Sequence, residues 1–277
     1  MAIWEAVSPL LPSFSVEILP QLDSTNSELM RRARAGQTEP ILLVAESQTA
    51  GRGRLGRSWL SENAISAEVA AVPGRPKQGT TPSGGSAAHK VASVGATSLT
   101  FSLGLPLHRA DWSGLSLAVG VSVAASLHPD LQLKWPNDVW FQGRKLAGIL
   151  IETLTMGATR YAVIGVGLNI GPREAAGLST PPAWLQELLP GMDAPQALLR
   201  IAPALLQAVQ RFESQGLPPF LKTYAARDAL AGRAVTLSDG THGQAQGVDS
   251  SGALLVHTDA GLKKINSAEV SVRPVIN

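Results

Sequence analysis

Two adjoining segments decide how this chain folds: the apolar run Ile41-Leu42-Leu43-Val44-Ala45, and the segment Gly51-Arg52-Gly53-Arg54-Leu55-Gly56-Arg57-Ser58-Trp59. The apolar run predicts a buried strand. The second segment, which we call the clamp, holds three glycines, three arginines and one tryptophan. Glycine lets a ligand approach the main chain, arginine offers forked donors to phosphate and carboxylate oxygens, and tryptophan offers a flat stacking surface. The clamp is therefore predicted to be a flexible anion-binding loop at the end of a sheet strand.

Two other interpretations of the clamp compete with this one. A run of arginines is often only a solvated loop. The three glycines also match the dinucleotide-binding fingerprint, which requires a helix at the third glycine and an acidic residue about 20 positions later. Arg-Ser-Trp-Leu-Ser follows Gly56 and starts a helix poorly, and no Asp or Glu lies between Val69 and Asp111. These features disfavour a Rossmann site, and the chain lacks the Gly-Lys-Ser/Thr of a P-loop.

The composition limits the classes of protein to which the chain can belong. Its 277 residues are 44% hydrophobic and 16% charged, so it can bury a core, and its net charge of +2 gives no argument for nucleic-acid binding. Cysteine is absent, which excludes disulfides and cysteine-ligated zinc and suits a reducing compartment. The N-terminus lacks a basic signal-peptide segment, and no run of about 18 apolar residues predicts a membrane span. We expect a cytoplasmic protein without a membrane segment.

Four polar residues stand at the first predicted strand-to-helix corner. Residues 13–22 alternate as a strand, Asp23-Ser24-Thr25-Asn26 follows, and a helix is predicted over 27–35. The polar residues are helix caps in one interpretation and hold the polar head group of a ligand in the other.

A second candidate stretch is Leu131-Gln-Leu-Lys-Trp-Pro-Asn-Asp138. The strand period places Lys134 on the face opposite Leu133 and Trp135. A lone strand lysine usually faces solvent, but the neighbouring tryptophan and Asn-Asp turn favour a functional role for Lys134. The chain should then turn back as a hairpin, in whose second strand Gly148 indicates close approach by a ligand or another backbone.

Residues 160–170 form the third stretch. As a strand it places Gly165, Gly167 and Asn169 on one face and apolar residues on the other. Two glycines leave a bare patch of sheet, which suits either tight packing of another element or a planar ligand.

The remaining chain supplies helices, an insertion and a C-terminal unit. Helices are predicted over 112–128, where a strand is also possible, and over 197–214, with Pro203 as a start or kink. Residues 62–94 are rich in Pro, Gly, Ser and Thr and predict a flexible insertion. Short strands separated by turns from about Leu230 predict a small antiparallel barrel. We expect two domains, at 1–228 and 229–277.

Several other chemistries lack support. The five histidines are scattered, which argues against a histidine metal site. The chain has no Gly-x-Ser-x-Gly and no Ser-x-x-Lys. No helix-turn-helix fits before the strand near residue 14, so DNA binding by such a module is not expected.

Taken together and in order, five segments resemble those of the biotin–protein ligase family. They are Asp23–Asn26, Gln48–Trp59, Lys134–Asp138, Lys145–Glu152 and Gly165–Asn169. The resemblance implies an α+β fold: a mixed sheet with helices packed on one side, as in the class II synthetase-like ligase core, followed by a small SH3-like barrel. It also implies a form without the family's N-terminal DNA-binding module.

The same resemblance implies an ATP-dependent ligase that acts in two steps. The carboxylate of biotin attacks the α-phosphate of ATP to give biotinyl-5′-AMP, with Mg²⁺ present, and a lysine of a biotin carboxyl carrier domain then takes the biotin as an amide. The implied catalytic residues are Lys134 and Arg54, and Asp138 is implied as a Mg²⁺ ligand. The implied biotin contacts are Ser24, Thr25, Asn26, Gln48, Gly51, Arg52, Gly53, Arg54, Lys134 and Gly148. The implied nucleotide contacts are Arg54, Arg57, Trp59, Lys134, Asn137 and Asn169.

Two departures from the family pattern and two alternative functions stay open at this point. Leu55 stands where the family often has arginine, and the insertion at 62–94 directly follows the clamp. A lipoate–protein ligase and a non-catalytic biotin- or nucleotide-binding module are the alternatives. The oligomeric state is left as monomer or homodimer.

Overall fold

The computed structural model describes residues 3–11, 13–59, 96–157, 159–173, 181–266 and 272–274, and the predicted insertion lies outside these ranges. The larger sheet has seven strands: β1 Ser15–Leu22, β2 Ile41–Gln48, β3 Ser98–Pro106, β4 Gln132–Lys134, β5 Asp138–Phe141, β6 Arg144–Met156 and β7 Thr159–Asn169. Their order is β1-β2-β3-β7-β6-β5-β4. Since β1 pairs in parallel with β2 and the other neighbours pair antiparallel, the sheet is mixed, as expected.

Helices lie on both faces of this sheet. They are α1 Ile3–Val7, α2 Thr25–Arg34, α3 Leu115–Leu127, α4 Ala194–Gln215 and α5 Pro218–Ala225. Even-numbered residues of β2 and β7 face the main core, which contains the apolar residues of α3 and α4. The apolar residues of α2 instead pack with Leu43, Tyr161 and Val163, which alternation along a strand places on the opposite face. The expectation of helices on one side is therefore corrected for α2, and this second face carries the candidate site.

Local sequence explains where the helices begin and end. Ser24 caps α2 by accepting a hydrogen bond from the Ser27 amide at 3.4 Å. The segment predicted at 112–128 is the helix α3, and not a strand. Asp193 caps α4 by accepting from the Gln196 amide at 2.8 Å, so Pro203 lies inside this helix and does not begin it.

The C-terminal sheet has five antiparallel strands: β8 Ala234–Leu237, β9 His242–Val248, β10 Leu254–Thr258, β11 Gly261–Ile265 and β12 Val272–Pro274. Their order is β11-β10-β9-β8-β12. Among the described residues the two outer strands do not pair with each other, so the expected barrel is an open sheet. The Gly-Leu-Lys-Lys-Ile sequence of β11 lacks the apolar alternation that is typical of short strands.

The linker between the two sheets fastens the edge of β4. The Leu133 amide donates to the Arg227 carbonyl at 2.7 Å, and the Ala229 amide donates to the Leu133 carbonyl at 2.9 Å. The Trp135 indole donates to the Gly252 carbonyl of the C-terminal sheet at 3.0 Å. These bonds hold β4, the strand that carries Lys134, to the linker and to the C-terminal sheet. The domain boundary at 228/229 stays a prediction.

Within the described ranges, no helix is both long and apolar enough to cross a membrane.

Candidate active site

A row of paired residues crosses the larger sheet on the face that α2 covers. Lys134 pairs with Asp138, Asp138 with Gly148, and Gly148 with Gly167. Residues paired across neighbouring strands point their side chains to the same face. With strands about 4.8 Å apart, the row from Lys134 to Gly167 is about 14 Å long. We call these four residues the glycine row.

Lys134 stands at the outer end of the glycine row. Its Nζ lies 5.2 Å from the centroid of the Trp140 ring, a cation–π distance. Leu133 and Trp135 point into the core and are 3% and 1% exposed. The alternation predicted for this strand is therefore confirmed, and Lys134 lies on the face that carries the candidate site.

The polar corner before α2 lies beside the row. Ser24, Thr25 and Asn26 are buried. The Thr25 amide and hydroxyl donate to Gln48 Oε1 at 2.8 and 3.1 Å. The hydroxyl oxygen of Ser102, a residue not among the sequence-based candidates, lies 2.7 Å from the Thr25 hydroxyl oxygen. The corner thus acts as a helix cap and also gathers buried polar groups next to the clamp.

Asn26 is bonded through both ends of its side-chain amide. Its Nδ2 donates to the Leu150 carbonyl at 3.1 Å and to Glu152 Oε2 at 3.0 Å, and its Oδ1 accepts from Ser102 at 2.6 Å. A Cβ at Gly165 would lie 2.9 Å from Asn26 Cγ. The side chain of Asn26 therefore occupies the space above Gly165, the first of the two bare glycines.

The clamp is a small hairpin. Arg52 forms a bridge with Ser58, the Gly53 amide donates to the Arg57 carbonyl at 2.7 Å, and the Trp59 amide donates to the Gly51 carbonyl at 2.8 Å. A Cβ at Gly51 would lie 2.8 Å from Gln48 Nε2, so only glycine fits the start of the hairpin without a shift.

Leu55 occupies the tip of the hairpin. It adopts a left-handed backbone with φ of 55° and is 63% exposed. Its side chain is an apolar group in solvent where the family often has an arginine. Arg57, also exposed, contributes its carbonyl to the hairpin.

Trp59 lies on the bare glycines. A Cβ at Gly167 would lie 2.7 Å from Trp59 Cζ2, and a Cβ at Gly148 would lie 3.4 Å from Trp59 Cζ3. The Nζ of Lys145 and the guanidinium of Arg173 lie 5.8 and 5.6 Å from the centroid of a Trp59 ring. The planar group on the glycine patch is thus the indole of the chain itself, flanked by two cations.

Arg54 joins the clamp to the Lys134 end of the row. Its Nη1 donates to Asn137 Oδ1 at 3.3 Å, and Asn137 Nδ2 in turn donates to the Ile149 carbonyl at 2.7 Å. Burial lowers the pKa of the Arg54 guanidinium, Asp138 opposes this shift, and Arg57 adds to it. The guanidinium is a partly desolvated cation, which strengthens its attraction for an anion.

Asp138 is paired with a lysine. Lys145 Nζ lies 2.7 Å from Asp138 Oδ1. Within the described ranges no group of three His, Asp or Glu side chains is placed to hold a metal ion. Asp138 therefore fits Mg²⁺ only in the mode in which phosphate oxygens of a bound nucleotide and waters supply most of the ligands.

Asn169 is buried at the end of β7 and bonded to its own chain. Its Nδ2 donates to the Ala183 carbonyl at 2.9 Å, and its Oδ1 accepts from Arg173 Nη1 at 2.6 Å. Arg173, which was not among the sequence-based candidates, therefore links Asn169 to the Trp59 ring.

Comparison with known proteins identifies the family. Residues 18–169 match the model of the biotin/lipoate A/B protein ligase family, and residues 231–273 match the biotin protein ligase C terminal domain. The chain belongs to the biotin/lipoate A/B protein ligase family.

Relatives span nearly the whole chain. It is 34% identical to the biotin–[acetyl-CoA-carboxylase] ligase of Paracoccus denitrificans over 262 residues, which is 91% of this chain and 98% of the relative. It is 32% identical to the bifunctional ligase/repressor BirA of Escherichia coli, across 94% of this chain and 74% of that protein. The biotin protein ligase of Aquifex aeolicus in complex with biotin and ATP has a TM-score of 0.70 and 26% identity, covering 94% of this chain and 99% of that one.

The structure brings most family-motif residues into one place and adds four that the sequence analysis missed. The added residues are Ser102, Lys145, Glu152 and Arg173. Lys145 and Glu152 stood at the two ends of the motif Lys145–Glu152, but no role was assigned to them. Gly148 and Glu152 are four positions apart, so strand alternation already placed both on one face. Ser102 and Arg173 gave no local signal, because their positions depend on strand order and on the chain after β7.

Proposed function

We propose that the chain is a biotin–protein ligase. A carboxylate oxygen of biotin attacks the α-phosphorus of ATP, and the bond to pyrophosphate breaks to leave biotinyl-5′-AMP. The ε-amine of a lysine on a biotin carboxyl carrier domain then attacks the acyl carbon, and AMP leaves as the amide forms. The observation that carries this proposal is the Arg54–Asn137 contact, which brings the clamp onto the Lys134 end of the glycine row.

The first step moves an anion onto a polyanion, so fixed cations have to offset the repulsion. Lys134 and Arg54 approach the same end of the row from a strand and from the clamp. Each charge-assisted hydrogen bond contributes about 1.5–3 kcal/mol. We assign these two side chains to the biotin carboxylate and the α-phosphate, with Arg57 and Asn137 near the remaining phosphates.

The polar corner suits the ureido end of biotin. Thr25, Asn26 and Gln48 are anchored by their own hydrogen bonds, so little side-chain entropy remains to be lost when a ligand binds. The backbone of Gly51 and Gly53 and the bare surface at Gly148 would line the path between this corner and Lys134. We assign Trp59 as the lid over biotin and the adenylate, and Asn169 to the nucleotide side of that lid.

Mg²⁺ would arrive with ATP as part of the substrate. Asp138 is the proposed protein ligand, and it would have to be shared with Lys145. The metal would screen phosphate charge at this position. The carrier domain and its lysine are proposed as the second substrate.

The family also contains lipoate ligases, which supply the competing function. The match of residues 231–273 to the biotin protein ligase C terminal domain supports biotin over lipoate. In a non-catalytic binding module, Lys134 would be expendable.

Pyrophosphate exchange separates these functions. The purified chain is incubated with ATP, Mg²⁺ and labelled pyrophosphate together with biotin, lipoate or neither. Biotin-dependent exchange is expected. Exchange with lipoate alone would assign the lipoate function, and biotin binding without exchange would assign a binding module.

A further inference from the structure

We propose that Glu152 is a positioning residue that fixes both the amide of Asn26 and the near end of the clamp. This inference rests on the proposed function, because its consequence is the geometry of the biotin site. Glu152 lies on β6, on the same face as Gly148, and its side chain is 20% exposed.

The first contact of Glu152 orients Asn26. One hydrogen of the Asn26 amide goes to the Leu150 carbonyl and the other to Glu152 Oε2, while Asn26 Oδ1 accepts from Ser102. A carboxylate only accepts hydrogen bonds, so it selects the amide orientation in which Nδ2 faces β6. The Asn26 oxygen is thereby held over Gly165 and against the Ser102 hydroxyl.

The second contact of Glu152 fastens the clamp. Arg52 Nη2 lies 3.0 Å from Glu152 Oε1, and Arg52 Nη1 lies 3.5 Å from Oε2 and 3.3 Å from the Ser27 hydroxyl. The first arginine of the clamp is thus already paired with a carboxylate and with α2. We infer that Arg52 tethers the clamp, and that Arg54 is the clamp arginine left facing the reacting anions.

These two contacts make Glu152 one fastening point of the hairpin. A second is Asn137, where Arg54 attaches at 3.3 Å. The clamp therefore spans the glycine row from the Asn26 corner to the Lys134 end. Loss of the Glu152 charge would free the first point while leaving the second in place.

Two substitutions separate the two contacts. Glu152→Gln keeps an acceptor for Asn26 but gives up the charge that pairs with Arg52, whereas Glu152→Ala removes both. In biotin-dependent exchange we expect KM for biotin to rise about fivefold in Glu152→Gln, typical of a half-exposed ion pair. We expect a rise of about 30-fold or more in Glu152→Ala, since buried Asn26 also loses a partner. The kcat should change little in Glu152→Gln. Glu39→Gln, at an exposed carboxylate, is the matched control.

A second readout does not depend on activity. Amide hydrogen exchange across residues 51–59 should speed up in Glu152→Gln relative to wild type and to the control, while exchange in β6 and β7 stays the same. Unchanged KM together with unchanged clamp protection in both variants would overturn the role of Glu152. Absence of biotin-dependent exchange in the wild type would instead overturn the proposed function, and the hydrogen-exchange comparison would still decide whether Glu152 holds the clamp.

Discussion

The glycine row and the clamp line the same site but are held by different interactions. On the row, backbone pairing across four strands sets the position of Lys134, Asp138, Gly148 and Gly167. The clamp is attached to the rest of the protein by side chains, through Arg52 on Glu152, Arg54 on Asn137, and the Trp59 ring on bare glycine. Backbone register resists local motion, whereas a hairpin on side-chain contacts can open at lower cost.

The difference assigns separate tasks to the two regions. A site that joins two anions needs at least one cation at a fixed position, and a strand supplies it. The same site has to admit ligands and then exclude water, which requires a movable element. The row should therefore govern the chemical step, and the clamp should govern binding, apart from Arg54, which reaches the Lys134 end of the row.

The largest effect is expected at Lys134. Lys134→Ala should slow biotin-dependent exchange about 100- to 1,000-fold, as for the loss of a group that stabilises transition-state charge. The circular dichroism spectrum and Tm should be retained, because Lys134 points away from the core. Lys222→Ala, at an exposed lysine of α5, is the control. A near-normal rate in Lys134→Ala would remove the row from the chemistry.

The next effect is expected at the bare glycine under Trp59. Gly167→Ala places a methyl group against the indole, and displacing the ring should cost about 1–3 kcal/mol. An energy of that size corresponds to about a 5- to 150-fold rise in KM for biotin. Tm should fall as well, because the displaced indole loses its packing against strand β7. Gly171→Ala, where a Cβ would meet Gln186 Oε1 at 3.4 Å, should leave KM and Tm unchanged.

A smaller and purely local effect is expected at the start of the clamp. Gly51→Ala places a Cβ against the Trp59 carbonyl and Gln48, so the hairpin cannot close in its present form. KM for biotin should rise while the free energy of unfolding changes by less than about 0.5 kcal/mol. A fall in Tm as large as that of Gly167→Ala would mean that the clamp is part of the folded core, and the contrast between the two regions would fail.

The smallest effect is expected at an exposed ion pair beside the site. Hydrogen bonds from Arg31 lower the pKa of Asp23 to about 2. Because the folded pKa lies below the unfolded value of about 3.9, the stabilisation is present above that value and is lost as the pH falls through about 2. Asp23 is 41% exposed, so Asp23→Asn should cost less than about 1 kcal/mol at neutral pH.

Thermal unfolding of wild type and Asp23→Asn between pH 7 and pH 2 tests this. The difference in Tm should shrink as the solution is acidified. A loss of several kcal/mol at neutral pH that disappears on acidification would show that a side-chain pair can matter as much as strand register, against the contrast between the row and the clamp.

The sequence predicted the sheet-built part of the site well, because strand alternation is local information. Lys134 opposite Leu133 and Trp135, and Gly165 opposite Ile164 and Val166, follow from a period of two. Alternation along a single strand does not specify the order of the strands in the sheet. That order makes Lys134, Asp138, Gly148 and Gly167 one row and brings Ser102 to Asn26.

The clamp was predicted as a segment but not as a structure. Its glycines and arginines indicated anion binding, yet Arg52 is paired with Glu152, one hundred positions later in the chain, through tertiary folding alone. The prediction that the helices pack on one side of the sheet was also wrong for α2. A run of apolar residues in β2 does not distinguish the two faces of that strand. The open C-terminal sheet likewise depends on how its outer strands meet, which short strand patterns do not specify.

The most direct test of the account is a double-mutant cycle between Arg54 and Lys134 in biotin-dependent pyrophosphate exchange. Because both cations are assigned to the same pair of reacting anions, the Arg54→Ala, Lys134→Ala double variant should be little slower than the slower single variant. That outcome would give a coupling energy of about 1 kcal/mol or more. If the two single losses multiply in the double variant, the clamp and the strand lysine act on separate groups, and the shared site proposed here is contradicted.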